Sequence, residues 1–255
     1  MTSSSITPML AGGLGNVLFQ LFSAYGIAKQ YDLSLLICCQ IWKPSHHSSM
    51  KYFENFLVKW CMFGNIYTIS AIIHENKLQP ICIPSIPNQA FYIKGYLQNY
   101  RYFWDFRNEL ISTLTFNNTD TSKYPKLEES AFIHIRGGDF KNHPLHHINL
   151  TNYYQKAIDF VKAPHYYVFT NDEEYLSQQE WLKDVNYTLV RENEIDSLYL
   201  MSQCKRGAIC ANSTFSWWGS FLNIERPITM PSKWFHDPEM YIDGYFFPGV
   251  TVIEV

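Results

Sequence analysis

Short apolar runs alternate with stretches of helical periodicity along the second half of this chain. Strands are predicted at residues 131–135, 166–170, 187–190 and 207–211, and helices at 152–162, 173–183, 194–204 and 215–223. The first of these helices is expected to be capped by Thr151 or Asn152. Strands that alternate with helices favour a parallel sheet covered by helices on both faces. The predicted fold class is therefore α/β.

The first forty residues carry the same pattern. A strand at residues 6–11, a glycine turn, an amphipathic helix and a strand at 33–38 form a predicted βαβ unit. Residues 40–100 are interrupted by prolines and are predicted to be irregular, and residues 97–114 are predicted to be helical. The polar stretch 117–129 is the candidate boundary. The simplest architecture is two Rossmann-like domains facing a cleft, residues 1–125 and 126–255, with a carboxy-terminal tail that can pack back on the first domain.

Composition excludes several classes of function. The 255 residues are 47% apolar, which is enough for a core, and the net charge of −3 leaves no broad basic surface for nucleic acid. A polyanionic ligand must therefore meet a few placed cations. The amino terminus, MTSSSITPML, has neither the basic region nor the apolar stretch of a signal peptide, and no membrane span is predicted. We expect a soluble cytoplasmic protein whose six cysteines are free thiols without metal-binding CxxC spacing.

The first candidate site is the segment AFIHIRGGDF at residues 131–140, where an apolar strand ends in Arg136-Gly-Gly-Asp139. Open α/β sheets bind ligands at the carboxyl ends of their strands, so Arg136 is a candidate ligand-binding cation. Asp139 can orient Arg136 or act as a base. The alternatives are a surface salt bridge in a tight turn and, for His134 within the strand, a satisfied core histidine. Lys141 and Lys123 are assigned to the solvated surface.

The second candidate is Gly12-Gly-Leu-Gly15 before a helix, which could bind phosphate or sugar through backbone amides, with Asn16 beside it. The Lys-Ser/Thr pair of a P-loop and the third glycine of a dinucleotide-binding loop are missing, since position 18 is Leu. No acid follows the second strand either. NAD binding is therefore a weak interpretation, and a plain tight turn is the alternative.

The third candidate is a set of small hydrogen-bonding side chains at a strand-to-helix turn: Asn212, Ser213, Thr214 and Ser216. Such residues form helix caps as well as anion sites. The aromatic residues Phe215, Trp217 and Trp218 are expected to pack the helix. His143, His146 and His147 lie on a loop without a Cys or acidic companion, so no metal site is predicted there.

Taken in this order, the three clusters resemble the alpha-1,2-fucosyltransferases, glycosyltransferase family 11. The matching segments are Gly12 to Gln20 (GGLGNVLFQ), His134 to Phe140 (HIRGGDF) and Asn212 to Gly219 (NSTFSWWG). Residues 196–204 (DSLYLMSQC) and 231–235 (PSKWF) also look familial. The resemblance spans about residues 9 to 236, and the combination is far more specific than any one segment.

The resemblance implies a GT-B fold and inverting transfer of L-fucose from GDP-L-fucose to a glycan hydroxyl, the 2-hydroxyl of galactose, with no cofactor and no required metal. It implies that Arg136 contacts the pyrophosphate and that His134 and Asp172 lie near the guanine. Asn16 and the glycines before it would lie by the fucose and the acceptor. The residues assigned to catalysis are Arg136, Asp139 and Asn16, and those assigned to donor binding are Gly13, Gly15, His134, Arg136, Asp172, Asn212, Ser213, Thr214 and Ser216.

The chain departs from the family pattern at three positions. Val17 replaces a usual Gln, Gly137 a usual second Arg, and Phe140 a usual Tyr. If Gly137 marks a lost cation, Gly137→Arg should tighten GDP binding; if the backbone needs a positive φ there, arginine should strain the turn. Two other functions stay open. One is transfer from another nucleotide sugar, such as GDP-mannose or a rarer deoxyhexose donor, and the other is a non-catalytic, lectin-like glycan binder on the same fold.

Overall fold

The computed structural model describes residues 4–37, 50–60, 70–76, 79–85, 88–116 and 119–255. The chain forms two compact units. The first unit comprises residues 1–117 with 243–245, and the second unit comprises residues 118–242 with 246–255. The assignment of an acceptor-side role to one domain and a donor-side role to the other stays a prediction.

The first unit contains a parallel sheet. Its strands are β1 (Ser5–Pro8), β2 (Ser34–Leu35), β3 (Ala71–His74) and β4 (Ala90–Lys94), and its helices are α1 (Leu14–Gln30), α2 (Met50–Asn55) and α3 (Arg107–Ile111). The described strands have the order β2-β1-β4-β3, and all of their pairings are parallel. β1 therefore lies between β2 and β4, and the predicted βαβ unit is present. The end of its second predicted strand, at Cys38, lies outside the described residues.

Helix α1 is the main packing element of the first unit. Of the residues predicted on its apolar face, Leu18, Leu21, Phe22 and Ala28 are buried, whereas Tyr25 is partly exposed. Phe22 stacks on Trp60 with ring centroids 5.6 Å apart. A Cβ at Gly26 would lie 1.7 Å from the carbonyl oxygen of Tyr102, so only glycine allows this close approach of the helix to the neighbouring backbone.

Two predictions for the first unit are wrong. Residues 97–114 are not one helix but two 3₁₀ turns, Tyr100–Tyr102 and Trp104–Phe106, followed by the short α3. Leu97 has a φ of +54°, and the Asn99 side chain accepts a hydrogen bond from the Arg101 amide, so a turn is stabilised where a helix was expected. Residues 40–100 were predicted to be irregular because of their prolines, but they contain the short strands β3 and β4.

The second unit is a doubly wound α/β sheet. Its strands are β5 (Ser130–Ile135), β6 (His165–Thr170), β7 (Tyr187–Leu189), β8 (Gly207–Ile209), β9 (Ile228–Pro231) and β10 (Val250–Ile253). Its helices are α4 (Thr151–Val161), α5 (Glu173–Ser177), α6 (Glu194–Gln203) and α7 (Thr214–Phe221). The strand order is β10-β9-β8-β5-β6-β7, with parallel pairing throughout. The chain winds outward from β5 to β7, then returns to β8 and winds the other way, so the order reverses between β5 and β8.

The predicted alternation of strands and helices in this unit is confirmed, with three local corrections. Neither Thr151 nor Asn152 caps α4; Leu150 occupies the cap position, and Asn149 accepts a hydrogen bond from the Thr151 amide. The helix predicted at 173–183 ends at Ser177, and a separate 3₁₀ turn, Glu180–Leu182, follows it. Strands β9 and β10 were not predicted.

Strand β5 crosses the core of the second unit and is buried along its length. Alternate residues Ala131, Ile133 and Ile135 pack with Tyr153 and Ala157 of α4. The opposite face carries His134, whose ring centroid lies 5.7 Å from that of Phe215. As predicted, Trp217 and Trp218 of α7 are fully buried. One face of β5 thus meets α4, and the other faces the start of α7.

Candidate active site

Three polar segments of the second unit lie at one edge of its sheet. Residues 136–140 follow β5, residues 171–172 follow β6, and residues 212–216 follow β8. These strands are neighbours and parallel, so their carboxyl ends meet, and the reversal of strand order lies between β5 and β8. Ligands of open α/β sheets bind at such a reversal, and the sheet therefore brings the candidate residues of the second unit together.

A shallow, solvent-open cavity lies at this edge. Arg136, Lys141 and Asn212 contribute polar groups to its wall, and Tyr154 and Tyr175 contribute aromatic surface. A cavity that combines aromatic surface with a few convergent polar groups suits a small organic ligand, and the two cations favour an anionic one.

The turn after β5 is held by the end of β6. The amide of Gly137 donates to Oδ1 of Asn171 at 3.0 Å, and the amide of Gly138 donates to Oδ2 of Asp172 at 2.9 Å. Asp172 also caps α5 by accepting from the Tyr175 amide at 2.9 Å. These contacts make Asn171 and Asp172 positioning residues for the turn, and sequence reasoning had not singled out Asn171.

The carboxylate of Asp172 has a third partner, the ammonium of Lys141, with Nζ 2.7 Å from Oδ2. The hydrogen bond from Lys141, together with the amides of Tyr175 and Gly138, lowers the pKa of Asp172 to about 2. The carboxylate is therefore ionised at neutral pH and fully engaged in local contacts. Its predicted place near the guanine stays a prediction.

Arg136 is oriented by an ion pair within its own turn. Its Nη2 donates to Oδ1 of Asp139 at 2.6 Å, and its guanidinium carbon lies 4.9 Å from the centroid of the Phe140 ring. The Asp139 side chain is 63% exposed. The Nε of Arg136 is buried and has no acceptor among the described residues. A buried guanidinium donor without a partner indicates a place for an anionic ligand.

His134 presents a second buried group of this kind. The side chain is 3% exposed, and its Nδ1 has no hydrogen-bond partner in the described part of the chain. Burial, and secondarily the charge of Arg136, lowers the pKa of His134 to about 3, so the imidazole is neutral at pH 7. The alternative of a core histidine satisfied by its own fold is not supported, because Nδ1 lacks such a partner.

The depressed pKa of His134 predicts a pH-dependent stability. Below pH 6.5 the His134 imidazole binds a proton in the unfolded chain, whereas in the folded protein it stays neutral down to about pH 3. The free energy of unfolding should therefore decrease as the pH falls through this range. The loss is on the order of 1.4 kcal/mol for each pH unit. Urea unfolding of the parent and of His134→Gln between pH 7 and pH 4 measures the effect, and the variant should lose less stability. Parallel profiles would contradict the shift.

The start of α7 is tightly organised. Nδ2 of Asn212 donates to the carbonyl oxygens of His146 and Trp234, at 3.0 and 3.1 Å. Ser213 caps the helix by accepting from the Phe215 amide, and the buried Ser216 hydroxyl donates to the Ser213 carbonyl. The side chains of Asn212 and Ser216 thus hold the loop at the start of this helix. Direct donor contacts from Asn212, Ser213, Thr214 and Ser216 stay predictions.

The glycine cluster of the first unit lies where α1 begins, at the carboxyl end of β1. Oδ1 of Asn16 accepts from Nε2 of Gln98 at 2.8 Å, and the hydroxyl of Tyr245 donates to Oε1 of Gln98 at 2.6 Å. Gln20 accepts from the Ala11 amide and donates to the carbonyls of Met9 and Gly95. The structure therefore places Gly13, Gly15 and Asn16 in the first unit and every other predicted site residue in the second.

Lys141 was assigned to the solvated surface, and that assignment is wrong. Its side chain is 32% exposed, pairs with Asp172 and lines the cavity. Its position immediately after the HIRGGDF segment was the signal that could have found it. Lys123, by contrast, is 59% exposed and pairs with Glu192, as expected for a surface side chain.

The described residues contain no group of three or more His, Cys, Asp or Glu side chains that could hold a metal ion. His146 stacks on Phe140 with ring centroids 4.6 Å apart. Cys204 and Cys210 are buried free thiols and Cys82 is exposed, while Cys38, Cys39 and Cys61 lie outside the described residues. Within the same described ranges, no helix combines the length and the apolar character needed to cross a membrane.

A family profile decides the identity of the chain. The profile of Glycosyl transferase family 11 matches residues 34–245. The chain belongs to glycosyltransferase family 11. The resemblance drawn from the three sequence clusters is confirmed, and the protein described here is a glycosyltransferase of family 11.

Two curated relatives from Escherichia coli match nearly the whole family 11 chain. An alpha-1,2-colitosyltransferase is 27% identical, and the match covers 93% of this chain and 94% of the relative. The O-antigen biosynthesis glycosyltransferase WbnK is 25% identical, and the match covers 89% of this chain and 93% of the relative.

The solved structure of the fucosyltransferase NodZ from Bradyrhizobium shares the fold. It is 13% identical, with a TM-score of 0.54, and the match covers 87% of this chain and 94% of NodZ. NodZ alpha-1,6-fucosyltransferase soaked with GDP-fucose matches with a TM-score of 0.52 at 14% identity, over 88% of this chain and 93% of NodZ. The predicted α/β fold class of GT-B type is thereby confirmed for the family 11 protein.

Proposed function

We propose that this protein transfers L-fucose from GDP-L-fucose to a glycan hydroxyl, the 2-hydroxyl of galactose, with inversion at the sugar carbon. The observation that carries the proposal is the buried, unpartnered Nε of Arg136 at the strand-order reversal beside the cavity. Membership of family 11 and the likeness to an alpha-1,2-transferring relative support the reaction type.

The chemistry follows from charge. Cleavage of the bond between the sugar carbon and the phosphate oxygen leaves negative charge on the departing GDP. The fork of Arg136 and the amides at the start of α7 can stabilise that charge as it develops. The acceptor oxygen forms the new bond from the opposite face and loses its proton.

Asp139 is the nearest carboxylate to Arg136 and was the candidate base. Its Oδ1 pairs with the Arg136 guanidinium, which supports an orienting role. A loose, oxocarbenium-like transition state lessens the need for a strong base, because the acceptor oxygen loses its proton late. The catalytic roles of Asp139 and Asn16 stay predictions.

A second donor is favoured by one specific observation. The relative that is 27% identical along almost its whole length carries the name alpha-1,2-colitosyltransferase. Colitosyl transfer by the same displacement would use the same cation and the same helix start, and differ only in the contacts to the sugar ring. This candidate falls within the class of rarer deoxyhexose donors.

Product analysis tests the proposed function. The protein is incubated with GDP-fucose, GDP-mannose or a colitosyl donor and a panel of galactose-terminated acceptors, and the linkage is read by NMR. We expect GDP release and an alpha-1,2-fucosylated product. Product formed only with the colitosyl donor would select the second candidate. Glycan binding without GDP binding or transfer would instead establish the lectin-like function.

The transfer is expected to survive metal chelation. The family resemblance implies no required metal, and Arg136 and Lys141 supply cations at the cavity. Initial rates measured with and without EDTA should agree. Complete loss on chelation, restored by Mn²⁺ or Mg²⁺, would contradict this and direct attention to His143, His146 and His147.

Gly137 is expected to be structural and not the trace of a lost cation. Its φ is −111°, so positive φ is not the reason for glycine. A Cβ there would lie 2.6 Å from Cβ of Asp172, which is closer than real side chains approach. Gly137→Ala should therefore cost about 1–3 kcal/mol through overpacking.

Thermal melting and GDP titration check this expectation. Gly137→Arg should lower the melting temperature and weaken GDP binding. Gly13→Ala is the matched control and should be less destabilising, because a Cβ there meets nothing within 4 Å. If Gly137→Arg instead binds GDP more tightly and keeps the melting temperature of the parent, then glycine in the natural chain marks a missing phosphate contact.

A further inference from the structure

We propose that Lys141 is a second cation for the diphosphate of the donor, held in place by Asp172. The inference rests on the proposed function, since it names a further residue of the same donor site.

The geometry places Lys141 at the cavity and fixes it there. Its Nζ lies 2.7 Å from Oδ2 of Asp172 and 5.8 Å from the centroid of the Tyr175 ring. Lys141 and Arg136 line the same cavity. Asp172 is itself anchored by the amides of Gly138 and Tyr175. The ammonium is therefore held at the cavity wall by a rigid partner.

The negative charge of the donor diphosphate favours a second cation beside Arg136. The two phosphates of a nucleoside diphosphate sugar each carry a negative charge, and the leaving nucleoside diphosphate carries more. The Arg136 fork matches one phosphate, and one of its donors is already engaged by Asp139. An ammonium has three donors, so Lys141 retains two after its bond to Asp172.

Asp172 does not cancel this role. Its carboxylate accepts two backbone amides as well as the ammonium, so its charge is shared among three donors. The competing explanation is that Lys141 only closes the turn through Asp172. That role would affect every ligand of the site alike, whereas a phosphate contact affects only ligands that carry the diphosphate.

The test compares GDP with guanosine. GDP binding is measured by titration calorimetry and guanosine binding by ligand-observed NMR, for the parent, Lys141→Met, Lys141→Gln and Lys141→Arg. Glutamine keeps a polar hydrogen-bond donor at this position but carries no charge. Lys183→Met is the matched control, since Lys183 is 66% exposed and pairs with Glu180 of the same unit. Melting curves check that each variant is folded.

We expect Lys141→Met and Lys141→Gln to weaken GDP binding about 10- to 100-fold, the scale of a lost charge-assisted hydrogen bond. Guanosine binding should change little, Lys141→Arg should retain most GDP affinity, and Lys183→Met should match the parent. Equal GDP affinity in Lys141→Gln, or an equal loss for guanosine and GDP, would overturn the inference while the proposed function stands. A parent protein that binds no GDP would overturn the proposed function itself.

Discussion

Replacing Arg136 with alanine is expected to reduce turnover roughly 100-fold or more, the scale for removing a key charge stabiliser from a preorganised site. Its guanidinium lies beside the cavity, oriented by Asp139 and by the face of Phe140, with a buried Nε that lacks a partner among the described residues. In the proposed reaction the charge on the departing GDP grows during bond cleavage, so the loss should appear in kcat as well as in donor affinity.

Steady-state kinetics with GDP-fucose measure this effect. Arg136→Lys should rescue little, because a point charge cannot replace the two parallel donors of a guanidinium. Arg191→Ala is the matched control: Arg191 is 66% exposed and pairs with Glu173 in the same unit, so its loss should leave turnover unchanged. A folded Arg136→Ala protein whose turnover stays within about threefold of the parent would exclude Arg136 from the donor site. Such a change corresponds to less than about 1.4 kcal/mol, the free energy of a tenfold difference in rate.

The largest expected loss of stability concerns Arg226, which is 7% exposed. Its Nη1 donates to the carbonyls of Met201 and Cys204, its Nη2 to that of Gly219 at 2.8 Å, and its Nε to that of Asn223. Burial lowers its pKa to about 10, so it stays charged at neutral pH. One guanidinium therefore satisfies carbonyls at the ends of both α6 and α7.

Arg226→Met should destabilise the protein by about 3–5 kcal/mol, because methionine fills part of the space but leaves those carbonyls buried without donors. The corresponding fall in melting temperature is about 6–20 °C for a chain of this size. Calorimetric melting of Arg226→Met beside Arg191→Met checks it, since the exposed pair of Arg191 should contribute only about 0–1 kcal/mol. Similar melting temperatures for the two variants would contradict the proposed role of Arg226.

The fold of the second unit could be predicted because its strands are encoded locally. Residues 131–135 form an apolar run interrupted only by His134, as expected for a strand buried on both faces, and β5 is found there. Strand β9 was missed because it ends in Pro231, a residue that argues against a strand, and β10 pairs only with β9. The helix predicted at 97–114 failed because apolar aromatic spacing imitates helical periodicity, whereas the positive φ of Leu97 cannot be read from that pattern.

In the candidate site, the sequence predicts the contacts within one segment but not the contacts between segments. Arg136 and Asp139 lie three residues apart, and their ion pair follows from the turn. The contacts of Gly137 with Asn171 and of Gly138 with Asp172 each span 34 residues and depend on the parallel register of β5 with β6. The pairing of Lys141 with Asp172 depends on the same register. No local pattern encodes a register between strands.

The close packing of Gly137 against Asp172 ties the evolution of these two positions together. A side chain at residue 137 would occupy the space of the Asp172 Cβ, so one position cannot enlarge while the other keeps its present place. A chain with arginine at residue 137 would therefore need a displaced backbone or a glycine at residue 172, because every other residue keeps the Cβ that blocks this space. The two positions should change together across the family, and a graft of arginine at 137 should be tolerated only with a compensating exchange at 172.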